Sequence, residues 1–359
     1  MILQLLQMFL GLGLLVYGAN RLVGGASTLA LKAGLSPLIV GLTVVAFGTS
    51  APEMAVSVKS AWLGRSDLAV GNIVGSNIFN VLFILGISAM ISPLLVSKQL
   101  IRLDVPLMIA SSILFVIFSL DGRIVFWEAG VLTAGIAAYT WFLMRLAKRE
   151  KQNLESSELA EAAKGGLGMA LVWVVVGLVL LVVGSQFLVD SAVAIATALG
   201  VSQVVIGLTI VAAGTSLPEV ATSIMATIKG ERDIAVGNVV GSNIFNILAV
   251  GGISGLVSQS GLSVSPEIIN FDSPVMVATA VACLPIFFTG HTIARWEGFV
   301  FLAYYIFYVS LLVMTATQHA ALETFANAMT WFIIPLTTLT ILVVFVQSYK
   351  KQVPPKAKG

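Results

Sequence analysis

The fold of this chain is decided by the stretch SPLIVGLTVVAFGTSAPEMAVS at 36–57, which returns as SQVVIGLTIVAAGTSLPEVATS at 202–223. Thirteen of these 22 aligned positions are identical without a gap. A shorter stretch, DLAVGNIVGSNIFN at 67–80, returns as DIAVGNVVGSNIFN at 233–246 with the same offset of 166 residues. Repetition at one constant offset indicates an internal duplication.

We call residues 36–80 the first motif and residues 202–246 the second motif. The composition of the whole chain is that of a membrane protein. Of the 359 residues, 58% are hydrophobic and only 10% are charged, whereas soluble domains carry about 25% charged residues. The chain is therefore predicted to be an integral membrane protein. Residues Met1–Tyr17 lack a basic segment and a small-residue cleavage site, which predicts a retained helix and not a signal peptide. The single cysteine, Cys283, excludes an intrachain disulfide.

Eleven apolar segments are long enough to cross a bilayer as helices. The first ten divide into two sets of five, and each set contains one motif. An odd number of spans per repeat gives the two copies opposite orientations, which is the inverted-repeat plan of secondary transporters. The predicted fold is an all-α membrane protein with five plus five helices, some of them kinked or discontinuous, and one extra C-terminal helix. The predicted spans are 2–22, 36–61, 68–92, 104–120, 124–146, 167–189, 202–228, 234–257, 274–290, 296–316 and 327–347.

The basic residues predict the orientation of these spans. With the N-terminus outside, only Lys59, Arg65 and Arg123 of the 19 lysines and arginines fall on the outer side, which is a strong positive-inside bias. We therefore predict a multi-pass protein of the plasma (inner) membrane with a cytoplasmic C-terminus. Its predicted parts are a first repeat at 1–146, a cytoplasmic linker at 147–166, a second repeat at 167–316, and an extra helix with a basic tail at 317–359.

Each motif places one glutamate deep in apolar sequence, Glu53 in the first and Glu219 in the second. An ionised carboxylate at the centre of a span costs about 2.5–3.5 kcal/mol on insertion scales, so such a residue indicates a functional site. No Lys or Arg lies at comparable depth to pair with either glutamate. The alternative is a glutamate that stays protonated and bonds a neighbouring helix.

A proline precedes each glutamate, in GTSAPE at 48–53 and in GTSLPE at 214–219. Proline inside a helix removes one backbone donor and kinks the helix. Irregular backbone at membrane depth is tolerated where it lines a cavity or is buried in protein. We therefore expect carbonyls near each break, including those of Ala46 and Ala212, to turn toward a ligand.

The polar side chains of the motifs offer oxygen and amide nitrogen, and neither motif contains His or Cys. Hard cations take oxygen ligands, whereas softer transition metals take imidazole or thiolate. Two glutamates balance one Ca²⁺ or two Na⁺, so these ions are expected to compete at overlapping sites, which is the basis of antiport. The polar set is Glu53, Glu219, Thr49, Ser50, Ser76, Asn80, Thr215, Ser216, Ser242 and Asn246.

Four further polar residues lie beside this set. Asp67 and Asp233 come just before their helices and are predicted to be N-caps. Ser57 and Ser223 lie one turn beyond the glutamates, where they either support the site or serve as ordinary polar packing.

GTSAPE with GSNIFN at 75–80, and GTSLPE with GSNIFN at 241–246, resemble the repeats of the prokaryotic sodium/calcium exchanger family, within the calcium/cation antiporter superfamily. The resemblance covers both motifs and about ten of the predicted spans. It implies a ten-helix inverted-repeat core and exchange of Ca²⁺ for Na⁺ as the first helix of each half slides. It also implies that the ten polar side chains above, with the carbonyls of Ala46 and Ala212, are the cation ligands. Some relatives carry aspartate at the position of Asn80 or Asn246, where this chain has asparagine.

The predicted function is Ca²⁺/Na⁺ antiport. The predicted partners are the lipid bilayer and the transported ions, and no cofactor, nucleic acid or protein partner is predicted. H⁺/Ca²⁺ antiport, in which Glu53 and Glu219 take protons, stays open at this point. A cation channel is a remote alternative, because an inverted duplication is typical of transporters. An enzyme is not predicted, since His291 and His319 lie near span ends and away from the motifs.

Overall fold

The computed structural model describes residues 2–154 and 167–352, so most of the predicted linker and the end of the tail lie outside the described residues. Helices form nearly all of the described chain, which confirms the predicted all-α class. In chain order they are α1 Ile2–Ala33, α2 Pro37–Thr49, α3 Ala51–Trp62, α4 Ser66–Ile91, α5 Leu100–Ser119, α6 Phe126–Leu154, α7 Leu167–Ala198, α8 at 203–214, α9 Leu217–Ile228, α10 Arg232–Val257, α11 Ile268–Phe288, α12 Arg295–Ala316 and α13 at 322–352.

The described residues contain nine helices that are long and apolar enough to cross a membrane, or ten when α2 and α3 count as one bent span. The chain is therefore a multi-pass membrane protein. The predicted count of eleven differs at 202–228, because this segment is divided into α8 and α9 and neither piece alone is long enough. The first helix of each repeat extends further than predicted, to Ala33 in α1 and to Ala198 in α7.

The predicted proline kinks are helix breaks in the structure. Ser50 and Ser216 lie between the helices with ψ near zero, at 6° and 8°. Pro52 and Pro218 each occupy the first turn of the helix that follows, where the missing N–H costs no helical hydrogen bond. At the first break α2 and α3 bend by 46°.

Wide π-type turns occur at matched positions in both repeats. One pair, Gly41–Val45 and Gly207–Val211, precedes the proline breaks. A second pair, Asn80–Leu85 and Asn246–Gly251, begins at the last asparagine of each motif. A third pair, Leu100–Asp104 and Ile268–Asp272, lies outside the motifs. Such turns inside α-helices occur frequently at functional sites, and the first two pairs flank the polar segments from both sides.

Four short strands join the two repeats to each other. β1 Leu94–Leu95 pairs antiparallel with β4 Thr292–Ile293, and β2 Arg123–Ile124 pairs antiparallel with β3 Leu262–Ser263. Each pair takes one strand from each half of the chain. The reciprocal pairing is what a two-fold relation between the halves would produce.

Helices α1 and α7 pack along each other through small residues spaced by seven. An added Cβ at Gly18 would lie only 2.9 Å from the carbonyl oxygen of Gly177. Small residues let two helix backbones approach closely in a membrane, so this seam holds α1 and α7 together as a pair. The facing residues are Gly11 with Gly184, Gly18 with Gly177, and Gly25 with Ala170.

Helices α4 and α10, which carry the second part of each motif, are the most buried spans of the described chain. The outer helices of each half are tied by a tyrosine–aspartate hydrogen bond. The Tyr139 hydroxyl donates to Asp104 Oδ1 at 3.0 Å, and the Tyr308 hydroxyl donates to Asp272 Oδ1 at 2.7 Å. These pairs, which no local sequence pattern predicts, fix α5 against α6 and α11 against α12.

The predicted N-cap role of Asp67 and Asp233 is wrong. Their helices begin one residue earlier, at Ser66 and Arg232, and no side chain caps either start. Both aspartates instead lie in the first helical turn, where a negative charge interacts favourably with the helix dipole.

Candidate cation-binding site

Glu53 and Glu219 are the third residues of α3 and α9, directly after the helix breaks. Their side chains are only 1% and 0% exposed. The first turn of a helix carries partial positive charge, so this position stabilises an ionised carboxylate that would otherwise be costly at this depth. The breaks therefore give each glutamate a helix N-terminus of its own.

The two halves exchange hydrogen bonds through their serines and glutamates. The Ser50 hydroxyl donates to Glu219 Oε1 at 3.0 Å, and the Ser216 hydroxyl donates to Glu53 Oε1 at 2.7 Å. The Ser76 hydroxyl lies 3.2 Å from that of Ser216. Within the described residues, Oε2 of each glutamate has no hydrogen-bond partner. The structure thus brings five of the predicted residues together into one group that both motifs build.

The two predicted threonines each bond to an asparagine. The Thr49 hydroxyl donates to Asn238 Oδ1 at 3.1 Å, and the Thr215 hydroxyl donates to Asn72 Oδ1 at 3.2 Å. Each of these bonds again joins one half of the chain to the other. Thr49 ends α2 and Thr215 directly follows α8, and each is held by an asparagine of the opposite half.

The remaining predicted side chains provide buried oxygens with few partners. Asn80 donates its Nδ2 to Asn243 Oδ1 at 3.0 Å, while its own Oδ1 has no partner among the described residues. In that part of the chain, the Ser242 hydroxyl and both side-chain polar atoms of Asn246 also have none. All three predicted side chains are at most 1% exposed. Such groups are costly to bury unsatisfied, so they are available to a ligand.

The expected freeing of carbonyls is not seen at Ala46. Its carbonyl accepts the backbone N–H of Ser50 at 3.0 Å and lies 3.4 Å from the Thr49 hydroxyl. The reason is that α2 continues to Thr49, so the break comes one turn later than this carbonyl. Ala46 is 1% exposed, whereas its counterpart Ala212 is exposed.

The surroundings of the site differ between its two sides. Thr49 and Asn238 are buried, whereas their counterparts Thr215 and Asn72 are only partly buried. Together with the exposed Ala212, this difference means that the residues around the end of α8 are less buried than their counterparts around the end of α2, which we call the covered side. The two halves have related sequences but are not in the same conformation.

Polar contacts hold the covered side. Helix α1 packs against α9, and the Ser27 hydroxyl of α1 donates to Glu231 Oε1 at 2.6 Å. The Lys229 ammonium donates to the backbone carbonyl of Asn20 at 2.8 Å. Burial, and secondarily the charge of Arg21, lower the pKa of Lys229, while Glu231 acts in the opposite direction. We name Ser27, Asn20, Lys229 and Glu231 the α1 latch.

Sequence reasoning did not identify Asn72 and Asn238, although a signal was present. Both asparagines are identical between the two motifs and lie four residues before Ser76 and Ser242, on the same helix face. Their spacing is therefore a signal in the sequence that both side chains face the site.

The chain is similar in sequence to known proteins over most of its length. The family model for the sodium/calcium exchanger protein matches residues 3–145 and 169–314. The chain is 34% identical over 343 residues to the sodium/calcium exchanger MaX1 of Methanosarcina acetivorans, covering 86% of this chain and 97% of that protein. It is 38% identical over 286 residues to the inner membrane protein YrbG of Escherichia coli, covering 78% of this chain and 87% of that protein.

A solved structure of the sodium-calcium exchanger NCX_Mj is similar to this chain over nearly its whole length. The TM-score is 0.75 at 32% sequence identity, covering 87% of this chain and 99% of that one. Both motifs fall within the residues that the family model matches. The proteins of this group are exchangers and not enzymes. The chain belongs to the sodium/calcium exchanger family of membrane antiporters.

Proposed function

We propose that this chain exchanges Ca²⁺ for Na⁺ at a site built from both motifs. The observation that carries the proposal is the crossed arrangement of the glutamates. Each of Glu53 and Glu219 is buried, bonds a serine of the opposite half through one carboxylate oxygen, and keeps the other oxygen without a partner in the described chain. A cation between the two halves would satisfy both free oxygens.

The chemistry of the surrounding groups supports a hard cation. The candidate ligands offer carboxylate, hydroxyl, amide and carbonyl oxygens, which suit Ca²⁺ and Na⁺. Two carboxylates balance either one Ca²⁺ or two Na⁺, so occupancy by one ion disfavours the other. The proposed ligands are Glu53, Glu219, Thr49, Ser50, Ser76, Asn80, Thr215, Ser216, Ser242 and Asn246, with the backbone carbonyl of Ala212 and the second lone pair of the Ala46 carbonyl, whose first accepts the Ser50 N–H.

Exchange further requires that the site open to one side of the membrane at a time. The unequal burial of Thr49 and Thr215 supports this, because one conformation covers one approach and leaves the other less covered. With the N-terminus outside, as the basic residues predict, the less covered side of α8 faces outward. We propose this orientation, with the protein in the plasma membrane.

The names of the relatives support the choice of ions. MaX1 is named a sodium/calcium exchanger, and the NCX_Mj structures concern extracellular ion exchange with Na⁺, Ca²⁺ or Sr²⁺. Asn80 and Asn246 give this chain no third carboxylate within the proposed set. Both Na⁺ and H⁺ are compatible with two carboxylates, so the counter-ion is the point to test.

The test is Ca²⁺ uptake by the purified full chain in proteoliposomes. An outward Na⁺ gradient at equal pH on both sides is expected to drive uptake, and a proton gradient without Na⁺ is not. The reverse result would contradict Na⁺ exchange and establish H⁺ exchange. Ca²⁺ flux down its own gradient with no counter-ion would indicate a channel. The Glu53→Gln variant, reconstituted in parallel, is the control for leak through the vesicles.

A further inference from the structure

Asn72 and Asn238 share two matched hydrogen bonds, one at each end of the amide. Asn72 donates through Nδ2 to the Ser57 hydroxyl at 2.9 Å and accepts from Thr215 through Oδ1 at 3.2 Å. Asn238 donates through Nδ2 to the Ser223 hydroxyl at 3.0 Å and accepts through Oδ1 from the opposite threonine. An arrangement that is repeated in both halves is a property of the motif.

The orientation of the Asn72 amide is fixed by a third contact. Its Nδ2 lies 3.3 Å from the backbone carbonyl oxygen of Glu53. A carbonyl can only accept a hydrogen bond, so the amide atom that faces it must be the nitrogen. The oxygen of the amide then faces Thr215, and the Thr215 hydroxyl must be the donor.

This direction matters for a cation. A hydroxyl has one proton and two lone pairs. When an asparagine oxygen takes the proton, the hydroxyl oxygen can turn only lone pairs toward the glutamates. An unrestrained hydroxyl would bond instead to a carbonyl of its own helix, and the 3.4 Å approach of Thr49 to the Ala46 carbonyl is that competing bond. The shorter bond to Asn238, at 3.1 Å, opposes it.

We propose that Asn72 and Asn238 are positioning residues for cation binding, and that each acts through the threonine of the opposite half. Asn72 orients Thr215, and Asn238 orients Thr49. Ser57 and Ser223 hold the far ends of the two amides and thereby support the site. This inference rests on the proposed function, since it assigns the threonine oxygens to the transported cation.

The test is a crossed set of double-mutant cycles on equilibrium Ca²⁺ binding to the purified full chain, repeated with Na⁺. Asn72→Leu is expected to weaken binding about tenfold, the scale of one oriented hydrogen bond. In a Thr215→Val background, Asn72→Leu should weaken binding no further, because its target hydroxyl is gone. In a Thr49→Val background it should weaken binding about tenfold again.

The mirrored cycles provide the matched control. Asn238→Leu should be silent in the Thr49→Val background and effective in the Thr215→Val background. A Thr215→Ser background keeps the hydroxyl and should restore the effect of Asn72→Leu. General destabilisation cannot produce this crossed pattern, since it would lower affinity equally in both threonine backgrounds. If one asparagine variant does not fold, the cycle of the other half supplies the same comparison.

Two outcomes would overturn the inference, and they are distinguishable. If the wild type binds Ca²⁺ and Glu53→Gln does not, but all four cycles are multiplicative, the asparagines do not act through the threonines and the proposed function stands. If the wild type shows no saturable binding of Ca²⁺ or Na⁺, the proposed function itself fails and the inference fails with it.

Discussion

Two carboxylates set the chemistry of this protein at the scale of single residues. Glu53 and Glu219 are buried at helix N-termini, and each accepts a hydrogen bond from a serine of the opposite half. Neither is neutralised by a basic residue of the described chain at this depth. A buried carboxylate with one free oxygen is most easily stabilised by a cation.

Replacing either glutamate by glutamine tests this role. Glu53→Gln or Glu219→Gln keeps the size and one acceptor oxygen but removes the charge, so Ca²⁺ transport should fall by at least roughly 100-fold, or about 2.7 kcal/mol. The measurement is Na⁺-driven Ca²⁺ uptake into proteoliposomes. Asp67→Asn removes an exposed first-turn carboxylate of α4 and is the matched control, expected to stay close to wild type. Near-normal uptake by both glutamine variants would exclude a two-carboxylate site.

At the scale of elements, the α1–α7 seam determines how closely two helices approach. Gly18 faces the backbone of Gly177, and any side chain there must push the helices apart. In a membrane no hydrophobic effect drives two helices together, so this contact depends on close packing. The pair can therefore act as one unit only while the seam stays free of side chains.

Gly18→Ala is expected to lower stability and transport together. Its Cβ would meet backbone atoms of α7 at 2.9–3.0 Å, and overpacking of this kind costs roughly 1–3 kcal/mol. Gly13→Ala is the control on the same helix, because a Cβ at Gly13 meets nothing within 4 Å. Thermal unfolding in detergent measures the difference. Equal melting temperatures of the two variants would mean that the seam is not tightly packed in the protein.

At the scale of the whole molecule, the two halves form one site but are covered unequally. This difference predicts unequal chemical access. In a Cys283→Ala background, Ala212→Cys should react at least about tenfold faster than Ala46→Cys with a charged, water-soluble thiol reagent, because a thiolate reacts only where water reaches it. Saturating Ca²⁺ should slow the faster reaction. Equal rates at the two positions would contradict a conformation that is open to one side.

The α1 latch is expected to stabilise this conformation. Ser27→Ala removes the hydroxyl that bonds Glu231, and loss of a hydrogen bond to a charged group shifts an equilibrium by about tenfold. The Ala46→Cys reaction should then accelerate by a similar factor. Thr28→Ala is the control, since within the described residues the Thr28 hydroxyl bonds to the Gly24 carbonyl of its own helix α1. Equal acceleration in both variants would assign the effect to α1 itself and not to the latch.

The sequence by itself determined the membrane class, the duplication and the chemical nature of the polar groups, because composition, period and residue type are local properties. It placed Glu53 and Glu219 at proline breaks correctly. It could not give the length of α2, which leaves the Ala46 carbonyl with a backbone partner. Nor could it give the start of α4, which moves Asp67 from the cap into the first turn.

Only the tertiary structure decided which groups meet. The bonds from Ser50 to Glu219 and from Thr215 to Asn72 join residues more than 140 positions apart, and no local pattern specifies such a pairing. The unequal burial of Thr49 and Thr215 is also beyond the sequence, since nearly identical motifs predict identical surroundings. It accompanies the packing of α1 against α9, which is a contact between distant parts of the chain.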